Sequence, residues 1–185
     1  MRADARANRE ALVAAARRLH AERGGDVPFS AVAQEAGVGI ATLYRHFPTP
    51  LDLVVGVVED VRDAVVAISD RWLPAVKDEP ERGWPGFVSE MAALELGTFL
   101  PQLAEGQDPL RLPPELAELR SQMLAAVRDV LDAARRHGLV RADLTAKQFQ
   151  LGLAVISRPL PHAQDVVPGL GGWLAEVYIR GLRPD

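Results

Sequence analysis

Ala33-Gln34-Glu35-Ala36-Gly37-Val38-Gly39-Ile40-Ala41-Thr42-Leu43-Tyr44-Arg45-His46-Phe47 is the stretch that decides how this 185-residue chain is read. It reads as a short helix, a glycine turn and a second short helix. Ile40, Leu43 and Phe47 recur at helical spacing, which predicts that they face inward and turn Thr42, Tyr44, Arg45 and His46 outward. Hydroxyl, phenol, guanidinium and imidazole groups on one exposed helical face suit phosphate oxygens and base edges. Val38 is expected to plug the small core between the two helices. Three anchors over two turns leave a rigid helix whose free face fits a major groove.

Working outward, Leu12, Ala15, Ala16 and Leu19 form the buried stripe of a first helix running from about Asn8, or Asp4, to Arg23. Gly24-Gly25 ends it. Asp26 to Pro28 opens a second helix with Phe29, Val32, Ala33 and Ala36 on its apolar side. Beyond the stretch, Thr49, Pro50 and Asp52 read as an N-cap, a first helical residue and a capping-box acid. The helix they open extends to about Leu73, with a narrow seam at Val54, Val58, Val61, Val65, Ile68 and Trp72. A polar linker is expected over 74–83, then a helix from about Pro85 to Leu100 and an irregular segment over 101–113. A helix from about Pro114 to His137 follows, closed by Gly138. Thr145 and Gln148 cap another that ends near Ile156. After a proline-rich loop, a last helix spans about Gly169 to Gly181. No period-2 segment supports a strand. The expectation is an all-α chain, with a three-helix helix-turn-helix head at 1–48 and a helical body at 49–185.

Composition narrows the function. The chain is 48% hydrophobic and 25% charged, which argues against disorder. It has no cysteine, which excludes disulfides and thiolate metal sites. His20, His46, His137 and His162 lack the spacing of a metal site. Gly37-Val38-Gly39 lacks the third glycine and the preceding strand of a dinucleotide fingerprint. No nucleophile elbow or close acid pair is present, so no enzyme activity and no cofactor are expected. The charged start and the lack of an apolar run near eighteen residues predict a soluble cytoplasmic protein without a membrane span. The net charge of −4 hides an asymmetry, because residues 1–48 hold seven arginines against five acids. A positive head on an acidic body is the pattern of a protein that touches phosphate at one end.

The alanine-rich first helix, the Ala33…Ala36-Gly37-Val38 turn and the Thr42-Leu43-Tyr44-Arg45-His46-Phe47 block resemble the TetR-type transcriptional regulators over about residues 8–55. The resemblance implies an all-helical homodimeric repressor whose two recognition helices enter successive major grooves of a near-palindromic double-stranded DNA operator. It makes Thr42, Tyr44 and His46 phosphate or sugar contacts, places Ala41 and Arg45 where bases are read, and adds Ser30 as a phosphate contact. With Gly39, small enough for close approach, and Ile40, the DNA-facing set is Ser30, Gly39, Ile40, Ala41, Thr42, Tyr44, Arg45 and His46. Arg2 and Arg6 are candidates for a basic arm. One position departs from the family, which commonly has a lysine or arginine where this chain has Pro50. Thr49 and the neighbouring amides are expected to meet phosphate in its place.

The body is expected to hold a small, mainly apolar effector, with Trp72, Trp84, Phe87, Met91, Phe99 and Met123 as candidate lining residues. Residues of this kind at helical spacing also serve as ordinary core. By the same resemblance the last two helices pair with their twins across a two-fold axis, through Phe149, Leu153, Ile156, Leu170, Trp173, Leu174 and Val177. The other reading of these helices is that they cap the core of one chain. A different reading of the whole protein is a helical effector-binding or assembly protein that keeps the head but no longer represses.

Overall fold

Helix α1 (Arg2–Arg23) begins earlier than its apolar stripe requires, with Asp4 in the first turn and an Arg6–Glu10 pair one turn on. The computed structural model describes residues 2–23, 27–98, 112–158 and 163–184. The Gly24-Gly25 stop, Asp26 and His162 fall outside them, as do Phe99 and most of the 101–113 segment. Two short helices follow, α2 (Phe29–Glu35) and α3 (Ile40–His46), and then the long α4 (Pro50–Asp78). All the described elements are helical, and no helix among these residues is long and apolar enough to cross a membrane.

The chain divides into two compact units, one built on residues up to Val61 and the other on Arg62–Gly97 and Glu118 onward. In the first, Leu12, Val13, Ala15, Ala16 and Leu19 of α1 meet Val32 and Ala33 of α2, Leu43 and Phe47, and Leu53 and Val57 of α4. The last two were not in the expected seam. That seam began at Val54, which is only half-buried, so the start of α4 is rotated by about one residue toward Leu53. Thr49 and Asp52 form the capping box as expected: the Asp52 amide donates to Thr49 Oγ1 at 3.2 Å, and the Thr49 amide donates to Asp52 Oδ2 at 2.8 Å.

The second unit corrects the reading of 74–100. No linker interrupts it. Helix α4 passes through Pro74 to Asp78, and α5 (Pro80–Ala92) starts after Glu79 alone. Proline normally breaks a helix by leaving the carbonyl four residues back without a donor. Here Pro74 and Asp70 are both exposed, so water can take that carbonyl. Close packing then holds the hairpin. A Cβ on Gly83 would collide with the Ala75 and Val76 backbone, and one on Gly86 with the Trp72 ring. After α5 the chain turns through Glu95 (φ 51°) into a 3-10 turn, Leu96–Thr98, instead of staying helical to residue 100.

Helix α6 (Pro114–Arg136) ends at Gly138, whose φ of 66° only glycine adopts cheaply. Helix α7 (Ala146–Ile156) opens on the Thr145/Gln148 capping box, and the expected loop before the last helix contains a short α8 (Ala163–Val166). The last helix is α9 (Leu170–Gly181), which packs on α5 and α7. Trp84, Phe87, Phe149 and Tyr178 join these helices as a run of rings, with Phe87 and Phe149 stacked at 5.8 Å and 15°. Tyr178 donates its hydroxyl to the Phe149 carbonyl at 2.8 Å, and burial pushes its pKa up to about 12. It therefore stays a protonated donor throughout the neutral range.

Gly83→Ala separates two effects of opposite sign. Helix propensity alone favours alanine by about 1 kcal/mol, whereas forcing a methyl into backbone costs about 1–3 kcal/mol. Backbone cannot rotate aside as a side chain can, which puts the cost at the upper end of that range, so urea denaturation should show a net loss of about 1–2 kcal/mol. Unchanged or raised stability would contradict the close α4–α5 approach.

Candidate nucleic-acid interface

The orientation of α3 is set by the turn before it. Gly37 has φ 68°, the Val38 amide donates to the Ala33 carbonyl at 3.0 Å, and the Gly37 amide donates to Gln34 at 3.1 Å. This pair of bonds is a Schellman stop, and its usual apolar contact is supplied by Val38, which packs on the head cluster. Gly39 then sits at the N-cap with φ −69°, and a Cβ there would meet nothing within 4 Å. A side chain at position 39 would therefore meet no steric barrier within the chain, and glycine there is also a residue that N-caps favour.

Leu43 and Phe47 are buried, as their spacing predicts. Ile40 is not: it is 44% exposed. Helical side chains tilt toward the N-terminus, so at the first residue of α3 that tilt carries Ile40 past the core instead of into it. Ile40 thus joins the outer surface with Ala41, Tyr44 and Arg45, which are all exposed. Thr42 and His46 are half-buried, and Ser30 is exposed in the first turn of α2. Tyr44 is 53% exposed while its ring lies 5.3 Å from that of Phe29, an arrangement that holds the ring and leaves the residue accessible.

Among the described residues, several arginines of the head have acidic partners. Arg9 pairs with Glu59 and Arg17 with Asp60, each at 2.6 Å, and Arg18 pairs with Glu35 at 3.0 Å. Arg6 faces Glu10, which leaves it less suited to a free basic arm. Arg45 differs. Its Nη2 donates to the neutral Thr42 Oγ1 at 3.0 Å, so its positive charge is not compensated by that bond. The start of α4 offers less to phosphate than expected. The Thr49 hydroxyl donates to Asp52 Oδ2 at 2.7 Å, placing a carboxylate where an anion was to bind.

The candidates in the second unit scatter. Trp84, Phe87 and Met91 are all buried, and among the described residues they are closed core. Trp72 is half-buried and donates its Nε1 to Glu90 at 2.6 Å; Met123 is half-buried, and Phe99 lies outside the described residues. A concavity of about 250 Å³ lies elsewhere, lined by Arg141, Ala142, Asp143, Gly181, Arg183 and Pro184. There the Arg141 guanidinium holds Asp143 below the usual carboxylate range.

Of the expected pairing residues, Phe149 and Leu153 are buried within the chain and have no surface left to bury against a twin. Ile156, Leu170 and Leu174 are half-buried, while Trp173 and Val177 are exposed. On the same helix Leu151 and Val155, which the expected set did not include, are exposed. The signal was present, since Ala146–Ile156 is apolar on both sides and periodicity does not say which side faces in.

Comparison with known proteins decides the family. The model for bacterial regulatory proteins of the tetR family matches residues 12–55, and that for the SbtR-like transcriptional regulator C-terminal domain matches residues 79–184. The chain belongs to the TetR family. A TetR transcription regulatory protein from Mycobacterium vanbaalenii is 30% identical, with 99% of each chain covered and a TM-score of 0.65. A TetR transcriptional regulator from Streptomyces coelicolor is 25% identical, covering 95% of this chain and 98% of that one, with a TM-score of 0.62. Nucleoid occlusion factor SlmA of Vibrio vulnificus is 35% identical over 74 residues, which is 40% of this chain and only 38% of that protein. This TetR-family member is thus a transcriptional regulator with a helix-turn-helix DNA-binding head, and not an enzyme.

Paired substitutions test the inward and outward faces of α3. Leu43→Ala should destabilise the protein by about 2–5 kcal/mol in chemical denaturation, and Ile40→Ala by no more than about 0.5 kcal/mol. Similar losses from both would contradict the exposed position of Ile40.

Proposed function

We propose that this TetR-family regulator is a cytoplasmic, ligand-responsive homodimeric repressor that places one α3 in each of two successive major grooves of a near-palindromic operator. The observation that carries this reading is the outer face of α3, where Tyr44 and Arg45 stand exposed and Arg45 bonds the neutral Thr42 hydroxyl. Ser30, Tyr44 and His46 serve as backbone contacts, while Ala41 and Arg45 read bases. Ile40 supplies an apolar edge suited to a thymine methyl or a sugar.

Dimerisation uses the side of α7 and α9 that the chain leaves uncovered. Val155 is 75% and Trp173 57% exposed, with Leu151 and Val177 one turn away on the same two helices. Helix α7 packs beside α9, so a two-fold axis through this surface makes a four-helix bundle. The domain division is an operator-binding head over 1–48 and an effector-binding, dimerising body over 49–185. A small, mainly apolar effector opens the closed core near Trp84, whose buried indole N–H has no hydrogen-bond partner among the described residues and so favours a ligand that brings an acceptor. Release from DNA requires the effector to bind one head spacing better than the other by a few kcal/mol, with α4 carrying the movement.

Footprinting on duplexes selected from random sequence tests both parts together. The wild-type chain should protect two related half-sites on one DNA face, about 34–36 Å apart or a multiple of a helical turn. Val155→Glu should sediment as a monomer and lose the paired protection. A single unrepeated site, or a Val155→Glu variant that remains a dimer, would contradict the arrangement.

A further inference from the structure

Thr42 and Arg45 lie three residues apart, so their side chains share one face of α3. The Thr42 hydroxyl accepts a hydrogen bond from Arg45 Nη2 at 3.0 Å. Threonine is stiff about χ1, and Thr42 is half-buried, so the acceptor is a fixed point on the helix. Arginine is the opposite, a long side chain that loses much rotamer freedom when a partner immobilises it. The carboxylate on the preceding helix does not supply the anchor, because Glu35 is held by Arg18 through two bonds of 3.0 and 3.1 Å. Guanidinium has five N–H donors, and the bond to Thr42 takes one. The remaining four include the two that guanine O6 and N7 accept in the major groove.

We propose that Thr42 is a positioning residue for sequence reading, its hydroxyl holding the Arg45 guanidinium in the orientation that meets a guanine edge. The inference rests on the reading of Arg45 as a base contact given above. It adds a role to Thr42, whose O–H remains free to reach a phosphate while its oxygen accepts from Arg45. The two roles differ in what they change. A phosphate contact strengthens all duplexes alike, whereas an orienting contact strengthens only those with the right base at the right place.

The test is a double-mutant cycle on the full-length chain, measuring the affinity ratio between the selected operator duplex and a scrambled duplex of equal length. Thr42→Val keeps the shape and β-branching and removes only the hydroxyl. It should lower the ratio about three- to tenfold, the range set by freeing one ordered side chain. Thr42→Ser keeps the hydroxyl and should leave the ratio near wild type. Arg45→Ala should lower the ratio further, and in that background Thr42→Val should have no additional effect. Thr42→Val losses that are equal on both duplexes, or that persist in full beside Arg45→Ala, overturn the positioning role while the base-reading role of Arg45 stands. An unchanged ratio for Arg45→Ala overturns the base-reading role itself, and the inference with it.

Discussion

Burial of Leu43 and Phe47 is the interaction on which the head depends. A seven-residue helix has no independent stability in water, so α3 exists and points where it does because these two residues are held by α1, α2 and α4. Phe47 is packed from two sides. The Arg9 guanidinium lies 5.3 Å from its ring centre, and Gly56 of α4 sits so close that a Cβ there would come within 2.7 Å of the ring. Once one face of so short a helix is fixed to a core, the opposite face is necessarily offered to solvent. The exposed face of α3 is therefore a consequence of hydrophobic anchoring, with the Schellman turn at Gly37 setting the angle.

The ion pairs around this core determine where positive charge remains. Arg9–Glu59 and Arg17–Asp60 tie α1 to the first turns of α4. Partly exposed pairs of this kind contribute about 0–1 kcal/mol each, so their value lies in fixing geometry more than in stability. Their second effect is to cancel charge away from α3. Among the described residues, Arg45 keeps a guanidinium whose hydrogen-bond partner is the neutral Thr42 hydroxyl.

Much of the head was legible because its elements obey one-dimensional rules. The stripe of α1 and the turn at Gly37, and beyond the head both capping boxes, follow from spacing and from local hydrogen bonding. The failures have particular causes. Ile40 fits the helical period, but periodicity ignores the tilt of the Cα–Cβ bond, which matters at a helix's first residue. Pro74 looked like a terminator, and only packing reveals that an exposed proline beside a glycine-tight hairpin is tolerated. Phe149 and Leu153 could not be told from Leu151 and Val155 by sequence, because α7 has apolar residues on two sides and the choice of inner face belongs to the aromatic run of α5 and α9. Leu53 and Val57 escaped for a related reason, since a shift of one residue about a helix axis leaves the pattern plausible.

Nuclear magnetic resonance of the isotope-labelled full-length chain, titrated with a selected duplex, tests the central claim most directly. If α3 meets DNA through the face opposite its anchors, amide and side-chain signals of Ala41, Thr42, Tyr44, Arg45 and His46 should shift, while the Leu43 methyl and Phe47 ring signals stay near their free positions. Large shifts at Leu43 and Phe47 with little change at Tyr44 and Arg45 would contradict the account.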